Sequence, residues 1–265
     1  MRTILNTIPE WGLILVAVVG FPAVVVAVFF GLRRWIEHWR HDVSSAIVVA
    51  VGAMVMTVFA LVLAFAVVNL YSGYTDASGN VTDEANALGQ IQRDVRVLPT
   101  AERDRVDRQL IAYIHVVTDV EFPAMRTGDK AKVQAGVTAQ DHLFAALQAY
   151  SPRTDAQRAF YDSAVDRLND LVGLRRDRIS ASNSALPAAF IVLLLLTAAV
   201  SIVTTFFLRT HAFGLDVALV AFVSMVVGAG LLTVVLLEYP FSGSVSVSSD
   251  PFMHGTLARL LAGQH

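Results

Sequence analysis

Hydrophobic and polar positions alternate along this chain on two scales. On the coarse scale, four apolar runs, Gly12–Leu32, Ser44–Leu70, Pro187–Leu208 and Val217–Leu237, carry no Asp, Glu, Lys or Arg. A hydrocarbon layer about 30 Å thick is crossed by roughly 20 helical residues, and every run reaches that length. They predict four transmembrane helices. On the fine scale, the stretch between the second and third runs has helical periodicity. Val81, Ala85, Leu88, Ile91, Val95 and Leu98 recur at three- and four-residue steps, as do Val106, Leu110, Tyr113, Val117 and Val120. Val133, Val137, Phe144 and Leu147 follow, then Phe160, Ala164, Leu168, Leu171 and Leu174. Such spacing lays one apolar stripe on each of four helices. Turn and cap chemistry at Leu98-Pro99-Thr100, Thr127-Gly128-Asp129 and Tyr150-Ser151-Pro152 ends them. Short connections make the set an antiparallel bundle.

The predicted fold is therefore an all-α membrane protein, two transmembrane hairpins with a four-helix bundle between helices two and three. Residues 1–71 form hairpin one, 72–185 the extramembrane bundle, 186–239 hairpin two and 240–265 a C-terminal tail. Because its first helix leaves span two and its last enters span three, the bundle is expected to extend those membrane helices outward, with Tyr71-Ser72-Gly73 and Ser78-Gly79-Asn80 as the places where a break in that continuity would fall. Both short connections, Arg33–Asp42 and Arg209–Asp216, fall on one side, with the termini and the bundle on the other. The first run lacks a small-residue cleavage site before Arg33–Arg40, so it reads as a membrane helix rather than a signal peptide.

Composition agrees with this layout. The chain is 55% hydrophobic and 16% charged, below the charge content of a soluble domain. A net charge of −2 gives no reason to expect nucleic acid as a partner. The absence of cysteine excludes disulfides, thiolate metal sites and a cysteine nucleophile. Between Ser72 and Ser184, 14 Arg and Lys face 16 Asp and Glu, dispersed as on a solvated bundle surface. Arg175, Arg176 and Arg178 are the one local basic excess, placed to snorkel to lipid phosphates.

Catalytic chemistry finds little support. There is no phosphate-cradling glycine loop, since Gly228-Ala229-Gly230 lies inside the fourth run. Ser224 with Gly228, and Ala60 with Ala64, have the spacing of helix-packing faces. His38 and His41 sit at metal-pair spacing, but in a basic loop that disfavours a cation. Trp35 and Trp39 beside them suit an interfacial belt. The expectation is no enzyme, no catalytic residue, no metal site and no cofactor. The spans hold no charge of the kind an ion-coupled pump needs. Their polar content is Thr57, Asn69, Thr197, Ser201, Thr204, Thr205, Ser224 and Thr233, whose hydroxyls are expected to bond back to their own helices. Passive conduction, or none, is what remains. A pore on the second span would place Asn69 at its mouth, with Phe59, Phe65 and Val68 as an apolar constriction.

Several stretches resemble the bacterial and plant bestrophin-like family of unknown function, over nearly the whole chain. They are Leu63-Ala64-Phe65-Ala66-Val67-Val68-Asn69-Leu70-Tyr71 at the exit of span two, then Glu84-Ala85 with Leu88, then Tyr113, Val117 and Glu121-Phe122-Pro123. In the last of these Phe122 stands where the family usually has tryptophan. The most specific match is Glu238-Tyr239-Pro240-Phe241-Ser242-Gly243 followed by Val247, Asp250-Pro251 and Phe252. Related chains often carry a basic residue where Tyr239 stands. The resemblance implies two membrane hairpins, a helical domain and, by analogy with bestrophins, a ring-shaped homo-oligomer conducting anions. Glu84, Glu121, Pro123, Glu238, Pro240, Phe241, Gly243, Pro251 and Phe252 are then family-motif residues with structural roles. Pro240 ends span four, Phe241 folds back, and Gly243 permits a tight turn. Residues Leu257 to Leu261 form a short amphipathic helix for the membrane or the bundle. Glu238, an acid at a helix C-terminus, needs a compensating partner, for which Arg178 is the candidate.

Sidedness is argued two ways. Arg33, Arg34, Arg40 and Arg209 in the short connections place that side in the cytoplasm of a cell-membrane protein and the bundle outside. Bestrophins proper have the opposite orientation. The charge rule is preferred here because it uses residues of this chain. Three functions fit: an oligomeric passive channel, a membrane sensor with a ligand-binding bundle, and a scaffold that docks a protein partner. Lipids are the one partner all three share.

Overall fold

The structure is a computed structural model that describes residues 2–40, 45–183, 186–208 and 212–263. All regular structure among them is helical. In chain order the helices are α1 (Arg2–Thr7), α2 (Glu10–Leu15), α3 (Phe21–Arg40), α4 (Ser45–Asp94), α5 (Thr100–His115), α6 (Phe122–Thr127) and α7 (Ala135–Gln148). α8 (Asp155–Asn183), α9 (Ala188–Phe206), α10 (Phe213–Glu238) and α11 (Gly255–Ala262) complete the series. Four stretches are long and apolar enough to cross a membrane, within Glu10–Arg33, Ala46–Val97, Asp155–Phe206 and Phe213–Glu238.

The chain divides into two compact units. The first comprises Met1–Asn6, Gly73–Ser184 and Tyr239–His265. Its core joins Val81, Leu88 and Ile91 of α4 to Val106, Leu110 and Ile114 of α5, Leu143 and Leu147 of α7, and Leu168 and Leu171 of α8. Each such side chain contributes about 1.5–3 kcal/mol through its removal from water. In α7 the stripe differs from the expected one. Val137 is exposed, and Ala139, Leu143, Ala146 and Leu147 face the core instead. A 3₁₀ turn at Lys132–Gln134 precedes α7 and shifts its phase. Phe160 in α8 is likewise exposed.

The tail belongs to this first unit. Phe241 and Phe252 are buried in its core, each edge-on to Phe122, at centroid distances of 5.8 and 6.2 Å. Gly243 turns the chain at φ +83°, a conformation that costs a residue with a Cβ. Leu257 of α11 packs into the same core, so this helix covers the bundle.

The second unit comprises Thr7–Ser72 and Ala185–Glu238. Phe29 and Phe206 meet at 5.3 Å beside Val25 and Val220. Phe59 and Ala66 of α4 pack with Leu194 and Ala198 of α9 and Val227 and Val234 of α10. Gly228 passes so close to the turn between α2 and α3 that a Cβ there would lie 2.5 Å from the Ala17 carbonyl oxygen. With Ser224 buried beside it, this is the small-residue face expected of that pair. Ala60 and Ala64 are exposed and form no such face within the chain.

Two helix boundaries bear on the expected layout. α4 runs unbroken through Tyr71-Ser72-Gly73 and Ser78-Gly79-Asn80 for 50 residues. Neither Gly73 nor Gly79 has a neighbour within 4 Å of where a Cβ would lie, so nothing wedges the helix open. α3 continues to Arg40, so most of the first short connection is helical. His41, Asp42, Arg209, Thr210 and His211 lie outside the described residues.

Candidate functional site

Three segments of the first unit bring together a buried cluster of charges. Glu84 of α4 and Glu121 have no exposed surface, Arg178 of α8 has none, and Arg175 one turn earlier is 6% exposed. Both acids lie in phase with the apolar stripes, Glu84 between Val81 and Leu88 and Glu121 four residues after Val117. Arg175 and Arg178 follow Leu171 in the same way. Helical geometry thus points four charges into one core.

The hydrogen bonds nearly exhaust the cluster. Arg178 donates from Nε to Glu84 Oε2 at 2.6 Å and from Nη2 to Glu84 Oε1 at 3.1 Å and Glu121 Oε2 at 2.6 Å. Arg175 donates from Nε and Nη2 to Glu121 Oε1, and from Nη2 to the Val133 carbonyl at 2.8 Å. The Tyr113 hydroxyl donates to Glu84 Oε1 at 2.7 Å, and the Gly136 amide to Glu121 Oε1 at 3.1 Å. Two carboxylates and two guanidiniums sum to zero charge, which lets the group survive away from water. Burial and then the Glu84 charge push the Tyr113 phenol well above its ordinary value. For Arg178, desolvation opposes the charge, but Glu84 and Glu121 outweigh it and raise its pKa.

Two backbone features make the cluster possible. The chain forms a π turn at Val116–Glu121, which ends two residues before Pro123. Proline lacks an amide hydrogen and crowds the carbonyl four residues back, and a wider turn relieves both. A second π turn, Val16–Gly20, precedes Pro22 in the same way. At Gly136 a Cβ would overlap Glu121 Oε1 and lie 2.6 Å from Arg175 Nε, so only glycine admits the carboxylate there.

The cluster corrects two expectations. Arg175 and Arg178 are core residues and do not snorkel. Arg178 is committed to Glu84 and Glu121, so it is not the partner of Glu238; that carboxylate makes no ion pair or hydrogen bond among the described residues. No cluster of three or more His, Asp or Glu side chains suited to a metal ion occurs among the described residues.

In the second unit, the residues expected of a pore divide between two faces of α4. Phe59 is 3% exposed and packs on α9 and α10, whereas Phe65 and Val68 are 62% and 69% exposed and Asn69 is exposed beside them. The six to ten residues of helical rotation from Phe59 to Phe65, Val68 and Asn69 account for the separation. Hydroxyls in the spans bond to their own backbones, as expected: Thr57 to Ala53, Thr197 to Leu193, Ser201 to Thr197, Thr204 to Val200, Ser224 to Val220 and Thr233 to Ala229. Thr205 bonds to Ile202.

The remaining motif residues join the first unit's packing. Ser242 donates to the Arg126 carbonyl, and the Gly243 amide donates to Asn6 Oδ1, tying tail to N-terminus. The family model of the bestrophin-like domain matches residues 19–252.

The chain belongs to the bestrophin-like family.

Solved structures agree on the fold. A mutant of a bacterial bestrophin homologue from Klebsiella pneumoniae is 15% identical, with a TM-score of 0.69 over 95% of this chain and 99% of that one. A zinc-phased structure of a bacterial bestrophin homologue from the same organism is 16% identical, with a TM-score of 0.66 over 96% and 98%. A protein described only as a membrane protein is 15% identical, with a TM-score of 0.66 over 94% and 96%. No curated protein matches in sequence. Within this bestrophin-like chain, Glu84 and Glu121 were legible as motif residues. Their partners Tyr113, Arg175, Arg178 and Gly136 were not read as such. The available signal was arginine at a stripe position, which a buried acid must answer.

Proposed function

We propose that this bestrophin-like protein is a passive anion channel formed by a ring of identical chains in the cell membrane, with α4 lining the pore. The membrane arrangement is two hairpins, residues 1–71 and 186–239, with residues 72–185 outside the bilayer and the tail, 240–265, strapped to them. The observation that carries the reading is the face of α4. Only 11% of its apolar window is buried, against 22%, 22% and 28% in the other three stretches. That exposed face carries Val58, Leu61, Phe65 and Val68 and ends in Asn69. Apolar side chains narrow a pore and gate it by dewetting, while an amide at the mouth replaces part of an ion's hydration shell. Phe59, packed inside the unit, supports this wall from behind and does not line it.

The absence of acids and bases from the apolar runs, with hydroxyls tied to their own helices, supports conduction without coupling to a second ion. Purified protein in planar bilayers under chloride and potassium gradients tests the proposal. Chloride current is expected, raised by Phe65→Ala and altered in selectivity by Asn69→Ala, with Phe59→Ala changing stability more than conductance. A silent bilayer containing folded protein overturns it.

A further inference from the structure

A groove of about 460 Å³ in the first unit is walled by the end of α4 and the turn after it, by α5 and by α11. Arg96, Arg108 and Arg259 reach it from these three separate elements. Arg96 is held by Gln92, which accepts from its Nη2 at 3.2 Å. The guanidiniums of Arg108 and Arg259 make no ion pair or hydrogen bond among the described residues. Elsewhere in the bundle Arg103, Arg105 and Arg167 pair with acids close in sequence. A neighbouring hollow that shares Thr256 adds Arg93. The groove is of a volume that small-molecule sites occupy.

We infer that this groove binds a phosphate-bearing anion, held by Arg96, Arg108 and Arg259. Guanidinium forks match phosphate oxygens two at a time, and three forks on three elements suit several phosphate oxygens better than one halide ion. The site is separate from the residues of the proposed pore, so it stands or falls by binding alone. Two acids on the groove wall limit affinity. Asp104 is paired with Arg103 at 3.5 Å, whereas Asp107 Oδ1 is enclosed without a hydrogen-bond partner and its negative charge opposes an incoming anion. Removing that charge while keeping the shape should tighten binding.

Phosphate of this kind comes from soluble polyphosphates or from lipid headgroups, and calorimetry on the full chain in detergent distinguishes them. One arm titrates sodium tripolyphosphate, the other short-chain phosphatidic acid, each against the intact chain, Arg108→Gln, Arg259→Gln and Asp107→Asn. Both arginines are exposed and unbonded, so the variants are expected to fold, which unchanged melting temperatures check. The expected result is saturable tripolyphosphate binding, weakened about tenfold or more by either arginine change, the loss of about 1.4 kcal/mol, and strengthened by Asp107→Asn. Saturation by phosphatidic acid alone, with the same response to the variants, assigns the site to a lipid headgroup. Absence of saturation by either probe at about 10 mM, or equal binding by all variants, overturns the inference.

Discussion

At Glu84 the difference between an acid and an amide decides whether Arg178 keeps a compensating charge. Arg178 has no exposed surface, and two of its three donor contacts to carboxylates go to Glu84. Glu84→Gln leaves a buried guanidinium facing an amide hydrogen where it had an acceptor. Removing one partner from a buried pair costs about 3–5 kcal/mol. The loss at the half-buried surface pair of Glu102 and Arg105, one turn apart on α5, is about 1 kcal/mol. Chemical denaturation of Glu84→Gln and Glu102→Gln in mild detergent should separate the two by that margin. Tyr113 adds a dependence on pH. Its phenol holds a proton more tightly in the folded chain than in the unfolded one, through burial and the adjacent Glu84. A raised acid contributes stability that is complete below the unfolded value, about pH 10 for tyrosine, and is lost as pH climbs through the folded one. Tyr113→Phe should therefore flatten the fall of stability above about pH 10, at a cost near 1 kcal/mol at neutral pH for the lost hydrogen bond.

Among the elements, α4 shows best what could be read in advance and what could not. Its apolar run and the stripe from Val81 to Leu98 were both visible, because hydrophobic periodicity survives any change of neighbours. Its continuity into the bundle follows from the bundle's attachment to that run. Gly73 and Gly79 are where a break would fall, because glycine gives up about 1 kcal/mol of helix propensity relative to alanine. Cooperative extension from both flanks outweighs that cost. With open space around both Cα atoms, Gly73→Ala and Gly79→Ala should each raise thermal stability, by about 0.5–1 kcal/mol. A fall at either position would show that glycine serves a contact with another chain. The π turns, by contrast, were hidden. Pro22 and Pro123 announced a disturbance, but its form depends on where the freed carbonyls find room. Gly136 was hidden because close approach across 15 residues leaves no local trace.

For the molecule as a whole, mechanism depends on which side of the membrane carries the first unit. The short connections bear Arg33, Arg34, Arg40 and Arg209, and arginines close to span ends favour the cytoplasm. The arginines on the other side weigh less than their number suggests. Arg175 and Arg178 are neutralised by Glu121 and Glu84 inside the core, so they do not present charge to a lipid surface. Arg2 is likewise engaged, donating to the carbonyls of Met125 and Ser182. With those positions discounted, the asymmetry favours the short connections as the cytoplasmic side and the bundle as the exterior one. The chain has no cysteine of its own, and Asp141 is exposed on α7. In Asp141→Cys, an impermeant maleimide should label intact cells as fully as lysed ones. Labelling only after lysis reverses the orientation, and with it the compartment from which the arginine groove could draw a phosphate-bearing ligand.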